Sequence, residues 1–477
     1  MVDHLPFHEL LLSILFWLCL TSYRAWHGRR PATGQTPPKS AQQVEHGFSN
    51  PKPFLGFIHK PLCAACEQTH QQVPQVSPAP PPLIQSRYGR PREVDAQWQY
   101  CPNPRCPYYG WVKRGNLHAN GYPGGGPWRQ WHCVACDGYF LETHGTLFHG
   151  KRVSAELLVR VVAALAEGLG IRAAARGFEV DPNTVLMWVV EAADQLQAFS
   201  AYLLHDVQVT QGQLDELFAV VSEAKAGHVS DAEAIERLER SPHWVWVAID
   251  PVSKLLLALQ VGERTLEMAQ RLVHHVVQVL APGCVPLFLT DGLKAYGLAL
   301  LTHFGQWVDP PRQRTTGPAP KPRWMPRPEL LYAQVVKSYR RRHLVCRRQR
   351  VVFGTLARVT HVLAPLGWYM NTAFVERINL TLRQHVAAVG RRAVTLCKGE
   401  AGLRDHLHLY STYYNFCLPH VSLRVPLAHP QPTKGSGSAK RWHPCTPAMA
   451  AGLTDRVWSL REVLLLRVPP WLQPQGL

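Results

Sequence analysis

Apolar positions recur at two spacings along this chain, and the change of spacing divides it. Between Ser154 and Tyr202 they return every three to four residues, with Leu157, Leu158, Val161, Val162 and Leu165 on one stripe, the signature of an amphipathic helix. Ser154 is placed to cap it. Gly168 and Gly170 interrupt the pattern, Ile171 to Arg176 gives a second short helix, and Gly177–Val180 reads as a turn. Asp181-Pro182 then puts a carboxylate at an N-cap and a proline at the first helical position. A third helix is predicted from there to about Phe199. After Gln211 the period shortens to that of strands. Gln213–Val221, His243–Asp250 and Lys254–Gly262 predict three strands, the last two joined by a turn at Asp250-Pro251. Glu223–Arg240 reads as an inserted charged helix, Thr265–Leu280 as an amphipathic helix, and Val285–Thr290 as a buried strand ending in Asp291-Gly292. A late helix capped by Asn371 runs through Val389 and carries Glu376, with Asn379 and Arg383 on the same face.

An antiparallel three-strand meander, a helix, a further strand and a late acidic helix give the order of an RNase H-like α/β domain. The fold expected is therefore α/β, an RNase H-like domain preceded by two smaller units. Residues 98–150 hold two cysteine pairs among turn-forming glycines, and 151–204 form an all-α three-helix unit with helix-turn-helix spacing. Residues 205–425 are the α/β domain with a basic insertion at 310–350, and 426–477 read as linker and tail. Residues 1–97 read as a poorly ordered extension, rich in Pro, Gly and Gln, with a lone CxxC at Cys63 and Cys66. Its apolar run, Leu10–Leu20, is short for a membrane span, which takes about 20 residues. No basic segment precedes it as in a secretory signal. No membrane association is expected.

Charge narrows the partner. The 477 residues carry 51 Lys/Arg against 33 Asp/Glu, a formal charge of +18, which points to a polyanion. Twelve Lys/Arg and one acid, Glu329, fall between Pro310 and Arg350. Within this segment Arg340, Arg341, Arg342, Arg347 and Arg348 are expected to neutralise DNA phosphates, with binding that weakens steeply as salt rises.

Six of the twelve cysteines form three close pairs. In a long chain without a secretory signal, paired cysteines point to metal rather than disulfides. Cys101-x4-Cys106 and Cys133-x2-Cys136 have the form of a zinc ribbon, two knuckles presenting four thiolates to one structural Zn²⁺. In the helical unit, the start of the third helix exposes Asn183 and Thr184 where a helix-turn-helix meets base edges. In the α/β domain, Asp215, Asp291 and Glu376 are the candidate catalytic carboxylates. Hard oxygen ligands suit Mg²⁺ or Mn²⁺, and two such ions activate the attacking oxygen and stabilise the leaving one. Asp250 is set aside as a turn residue. Glu216 is set aside because adjacent strand residues point to opposite faces.

These motifs resemble bacterial insertion-sequence transposases of the DDE type, in the branch with an N-terminal zinc ribbon and helix-turn-helix. The resemblance rests on CPNPRC (101–106), VKRGN (112–116), WHCVACDGYF (131–140), LDELF (214–218), LTDGLKAY (289–296), NTAFVERINLTLRQHVAAVGRR (371–392) and TPAMAAGLTDRVW (446–458). It implies that Asp215, Asp291 and Glu376 bind the metals, and that Asn379 and Arg383 match an ERxNxxxR signature in contact with DNA. It implies cleavage by water at element ends to free a 3′-OH, which then attacks target DNA by in-line transesterification. Terminal inverted repeats and target DNA would be the partners, a homo-oligomer on DNA the working form, and the bacterial nucleoid the location. Two alternatives stay open. One is a decayed or domesticated sequence-specific DNA-binding protein without strand transfer; the other is an RNase H-like nuclease without strand transfer.

Overall fold

The sheet that organises the chain has its shortest strand between two longer ones. The computed structural model describes residues 78–84, 98–219, 243–311, 321–340, 343–387, 389, 399–433 and 437–474, all within one compact unit, Gln68–Leu477. The first 77 residues, Cys63 and Cys66 among them, and the charged segment Glu223–Arg240 lie outside the described residues.

The cysteine-rich segment forms a small antiparallel sheet of β1 (Leu117–Ala119), β2 (Gln130–Cys133) and β3 (Gly138–Leu141). Trp111 and Trp131 are buried in it. Three helices follow: α1 (Ala155–Ala166), α2 (Ile171–Gly177) and α3 (Pro182–Leu203). Ser154 Oγ accepts from Leu157 N, and Asp181 Oδ1 accepts from Asn183 N at 2.8 Å and Thr184 N at 3.3 Å. Both caps fall where the sequence places them. Leu158, Val161, Val162, Val185, Trp188 and Leu196 close the core of the unit.

The six-stranded sheet contains β4 (Gln211–Phe218), β5 (Trp244–Ile249), β6 (Leu256–Gly262), β7 (Leu287–Thr290), β10 (Leu331–Arg340) and β11 (His343–Phe353). Its order is β6-β5-β4-β7-β10-β11. β4, β5 and β6 form an antiparallel meander, β7 runs parallel to both β4 and β10, and β11 returns antiparallel to β10. This mixed sheet is compatible with an RNase H-like domain. Helices α4 (Leu266–Val279) and α5 (Lys294–Phe304) supply the crossovers. A two-stranded ribbon, β8 (Gly305–Val308) with β9 (Arg323–Pro326), follows α5.

Strand alternation sorts the sheet's side chains onto two faces. Leu214, Trp246, Ala248 and Phe288 share a core with α4 and α5, and that core is continuous with the three-helix unit. On the opposite face Leu217, Val245, Val247 and Ile249 meet helices α7 (Ala373–His385) and α8 (Glu400–Thr412). Farther along this second face, Leu289, Ala333 and Val335 meet α6 (Leu356–Leu363). Val375, Ile378 and Leu382 form the buried stripe of α7, each contributing about 2 kcal/mol through burial. The edge strand β6 is closed by Asn415, whose side chain bonds the backbone N and O of Leu256 at 2.9 and 3.0 Å. That pairing covers the first residue of the edge.

Two expectations are corrected here. The segment 310–350, read as a basic insertion, supplies a parallel strand to the sheet. Alternating Leu331, Ala333 and Val335 are buried on one face and Tyr332 on the other, a pattern hidden by the surrounding basic and proline residues. The segment 426–477, read as linker and tail, divides in two. Val425–Gln431 and Lys440–His443 pair as an exposed ribbon, whereas residues from 458 onward are built into the core. Trp458, Leu460, Val463 and Leu464 are buried. Gln473 spans two units: it donates to Gly110 O at 3.0 Å, accepts from Val112 N at 3.2 Å, and its backbone N–H donates to the Tyr202 hydroxyl. Gly110 has a positive φ of 72°, and a Cβ there would lie 2.5 Å from Pro470. Among the described residues no helix is long and apolar enough to cross a membrane.

Arg467 is the charged member of this joint. It is 5% exposed, donates to the carbonyls of Tyr100 and His144, and lies 3.9 Å from the Tyr100 ring centroid. Arg467→Met is expected to lower the unfolding free energy by about 3 kcal/mol, because buried carbonyls lose charged donors. Urea unfolding of the full chain measures it; a loss below about 1 kcal/mol would remove Arg467 from this role.

Candidate functional site

β7 ends at Thr290, which pairs with Leu214 of β4 and Gln334 of β10. Both neighbours continue past that point, so from Asp215 onward β4 has no partner on that side. A notch opens at the carboxyl end of β7, where ligands of open α/β sheets gather. Asp291 is the first residue beyond the strand. Its Oδ1 accepts from Leu293 N at 2.9 Å, while Thr290 and Gln334 both bond the Tyr332 hydroxyl, at 2.9 and 2.8 Å. That buried network fixes the turn carrying Asp291.

Carboxylate oxygens of Asp215, Glu216 and Asp291 all lie within 4.8 Å of one another. Bringing in Glu216 overturns the reasoning that set it aside. Its strand neighbour is Trp246, on the face opposite Asp215, so the alternation holds. The missing strand at the notch lets both faces look into the same space. Glu216 is compensated from behind: Arg264 Nε donates to Oε1 at 2.7 Å and the Tyr296 hydroxyl to Oε2 at 3.0 Å.

Glu376 comes from the other side of the notch, in the first turn of α7. It is exposed and outside that oxygen cluster; the Lys337 ammonium and the Thr372 hydroxyl (2.5 Å) both donate to its Oε1. Lys337 lies on β10 beyond its pairing with β7. Asn379, expected as a DNA contact, is 5% exposed, and its Nδ2 donates to Asp215 Oδ2 at 2.8 Å. In this structure it orients a carboxylate rather than facing solvent, because its position on α7 turns it toward β4. Arg383 is half-buried on the same helix. Asp250 is occupied by its turn, accepting from Val252 N and Ser253 N at 3.0 and 3.1 Å.

The electrostatics suit a cation. Burial and the neighbouring Asp291 and Glu216 charges push the Asp215 carboxyl up to about 7, and burial also raises Glu216. Crowded carboxylates repel and favour protonation unless positive charge enters. The donor set is all oxygen, as Mg²⁺ or Mn²⁺ prefers.

The cysteine cluster fits a different metal. Sγ atoms of Cys101, Cys106, Cys133 and Cys136 lie within 4.8 Å of one another, with Cys101–Cys136 at 3.6 Å and Cys106–Cys133 at 3.8 Å. A tetrahedron with Zn–S bonds of about 2.3 Å has edges of about 3.8 Å. Burial pushes the Cys106 thiol up to about 11, a cost that thiolate–metal bonds offset.

The expected DNA contacts fall on two surfaces. Asn183 is exposed and Thr184 half-buried at the start of α3, with Arg172 and Arg176 exposed on α2. Beyond its pairing with β7, β10 continues with β11 as a two-stranded ribbon. Arg340, Arg347 and Arg348 are exposed there, and Arg347 also donates to Met370 O at 2.6 Å. Arg341 and Arg342 lie outside the described residues.

No protein-family model matches the chain, and no curated protein matches it. Among solved structures it is similar to the Mos1 strand transfer complex, at 14% identity and a TM-score of 0.13, over 33% of this chain and 57% of that one. It is also similar to a pre-cleavage Mos1 transpososome, at 13% identity and a TM-score of 0.12, over 32% and 59%. The chain thus spans under two thirds of the solved chains it matches.

Sequence reasoning missed Glu216, Lys337 as the partner of Glu376, and Gln213. The last had a signal: Gln211, Gln213 and Asp215 put polar groups at alternate positions of a strand whose every other neighbour is apolar or buried.

The raised Asp215 carboxyl gives a pH signature. Between about pH 4 and 7 the metal-free folded chain holds a proton there that the unfolded chain has released, since an unfolded Asp titrates near 3.9. Stability contributed by this group is therefore present at low pH and lost as pH rises through about 7. In Mg²⁺-free buffer, the difference in unfolding free energy between parent and Asp215→Asn is expected to change across that window in the parent's disfavour. A pH-independent difference would contradict the assignment.

Proposed function

We propose that the chain is a DDE transposase. In this reading water hydrolyses a DNA phosphodiester at the ends of a mobile element, and the freed 3′-OH attacks a second phosphodiester, forming a new P–O bond as that phosphate's bond to the target's own 3′-oxygen breaks. The observation that carries the reading is the convergence of Asp215 and Asp291, with Glu376 across the notch, at the end of β7. Asp215 lies on β4, Asp291 follows β7 76 residues later, and Glu376 stands on α7, 161 residues from Asp215 and outside the oxygen cluster.

When bound, two divalent ions would supply charge for the attacking and leaving oxygens. Asp215 and Asp291 would hold them from the sheet and Glu376 from α7, with Glu216 and its Arg264 partner behind. Asn379 keeps one Asp215 oxygen oriented. Lys337 and the arginines of the β10–β11 ribbon offer cations to the backbone being cut. Phosphoryl transfer asks a protein mainly for such positioning and charge. The cysteine cluster would hold one structural Zn²⁺, and the three-helix unit would read the element ends through the start of α3, as a helix-turn-helix does. Acting on two ends, the chain would work as a homo-oligomer on DNA in the bacterial nucleoid.

A chain that only bound DNA would gain nothing from repelling carboxylates in a half-buried notch. The test uses the full chain with DNA taken from the flanks of its gene, in Mg²⁺ or Mn²⁺. Cleavage and strand transfer are expected at inverted repeats, falling at least about 10³-fold in Asp291→Ala and in Glu376→Ala. Sequence-specific binding without any metal-dependent cutting would favour the binding-protein alternative; cutting without joining would favour a nuclease.

Metal content is a separate expectation. Elemental analysis of the full chain should give one zinc per chain, lost in Cys133→Ser. A zinc-free chain that stays folded would remove the structural metal from the reading.

A further inference from the structure

We propose that Gln213 is a positioning residue: it caps the catalytic helix α7 from the sheet and so fixes where Glu376 stands relative to Asp215. This rests on the metal-site reading above and adds a component to it.

Gln213 is fully buried on β4, two positions before Asp215 and on the same face. Its strand neighbours are Ile249 and Leu289. Both ends of its amide are used by one distant segment. Oε1 accepts from Val375 N at 3.1 Å, and Nε2 donates to Asn371 O at 2.9 Å. Val375 is the third residue of α7, and the first backbone N–H groups of a helix have no partner within it. The residue at the N-cap ordinarily satisfies that third N–H with its own side chain. Thr372 occupies the N-cap of α7 and makes no such bond; its hydroxyl donates to Glu376 Oε1 instead, at 2.5 Å. Asn371 Oδ1 satisfies Ala373 N at 3.0 Å. Gln213 therefore does the capping from 162 residues away, and Thr372 is free to hold the carboxylate.

The arrangement has a geometric consequence. Apolar contacts of Val375, Ile378 and Leu382 press α7 against the sheet, but such contacts have no preferred direction and tolerate small axial shifts. Two directed hydrogen bonds, one donated and one accepted, set the axial position. One reaches the N–H of Val375, immediately before Glu376, and the other the carbonyl of Asn371 just ahead of the helix, both from the strand that carries Asp215. Metal ligands must sit within about 0.2 Å of their ideal distances, so a shift of α7 along its axis registers at the metal site before it registers in the fold.

The test is a double-mutant cycle on the full chain, with Mn²⁺ affinity read by electron paramagnetic resonance. Gln213→Met fills similar volume and removes both bonds. It is expected to weaken Mn²⁺ binding at least tenfold in the parent, and less than twofold in a Glu376→Gln background, where the ligand it positions is already gone. A role confined to general stability would give the same loss in both backgrounds, and that result overturns the proposal, as does an unchanged affinity in the parent background. If Gln213→Met does not fold, Gln213→Asn, which draws the same amide back by one methylene, goes through the same cycle, and the same outcomes support or overturn the proposal. Asp291→Asn runs beside them. A parent that binds no Mn²⁺, or an Asp291→Asn chain that binds it as the parent does, overturns the metal reading and this proposal with it. An additive cycle on a chain in which Asp291 matters overturns this proposal alone.

Discussion

The ending of β7 at Thr290 is the constraint on which the rest depends. A sheet with a full-length central strand would separate Asp215 from Glu216 and both from β10. A strand of four residues between longer neighbours instead leaves polar backbone and side chains around a notch that must be filled by something other than protein backbone. Asp291 begins there because the chain must turn there. Asp215 and Glu216 face it because their strand outlasts its neighbour, and Lys337 overhangs it for the same reason on β10. The carboxylate cluster is a consequence of strand lengths before it is a consequence of residue choice.

Charge in the notch is arranged in two tiers. Glu216 is paired permanently from behind, by an arginine whose other surface stacks over Trp244 at 5.2 Å and by a buried tyrosine. Its charge adds to burial and to Asp291 in raising the Asp215 carboxyl. Glu376 is paired with an ammonium on the solvent side, Lys337, which is itself part of the basic ribbon. An ammonium is a mobile point charge on a flexible stem, and a phosphate is as good a partner for it as a carboxylate. The group that neutralises Glu376 is thus one that a phosphate would also attract, so a bound phosphate would compete with Glu376 for the same cation.

Besides the core they share, the units around the sheet meet at several close contacts. Gly168, at a φ of 97° between α1 and α2, sits where a Cβ would lie 2.9 Å from Gln384 O at the end of α7. The three-helix unit therefore abuts the end of the helix that carries Glu376 without an intervening side chain. Glu167 beside it bonds Tyr413 at 2.6 Å, just beyond α8. At the far side the last residues of the chain tie the cysteine module to Tyr202 at the end of α3. Both ends of the three-helix unit are thus fastened, one to α7 and one to the cysteine module.

The parts of this arrangement that are legible in the sequence are those with local causes. Ser154 and Asp181 cap helices within three residues of themselves, the cysteine pairs carry their spacing with them, and Asp291 follows a buried apolar run directly. What stays hidden there has non-local causes. Alternation along β4 assigns Glu216 to the far face correctly, yet the length of β7, a strand some seventy residues away, decides whether a face boundary still exists at that point. Gln213 and Arg467 are polar residues in apolar surroundings whose partners lie more than 150 residues distant, so nothing nearby explains them. The strand β10 is masked by the charges flanking it, because Arg340 and His343 to Arg350 belong to the ribbon's exposed half and Leu331 to Val335 to its buried one. A polar residue on a strand's buried face, with no local partner, is then best read as a claim about a distant backbone. Gln213 makes that claim two residues before Asp215, where the distance it sets bears on the candidate metal site.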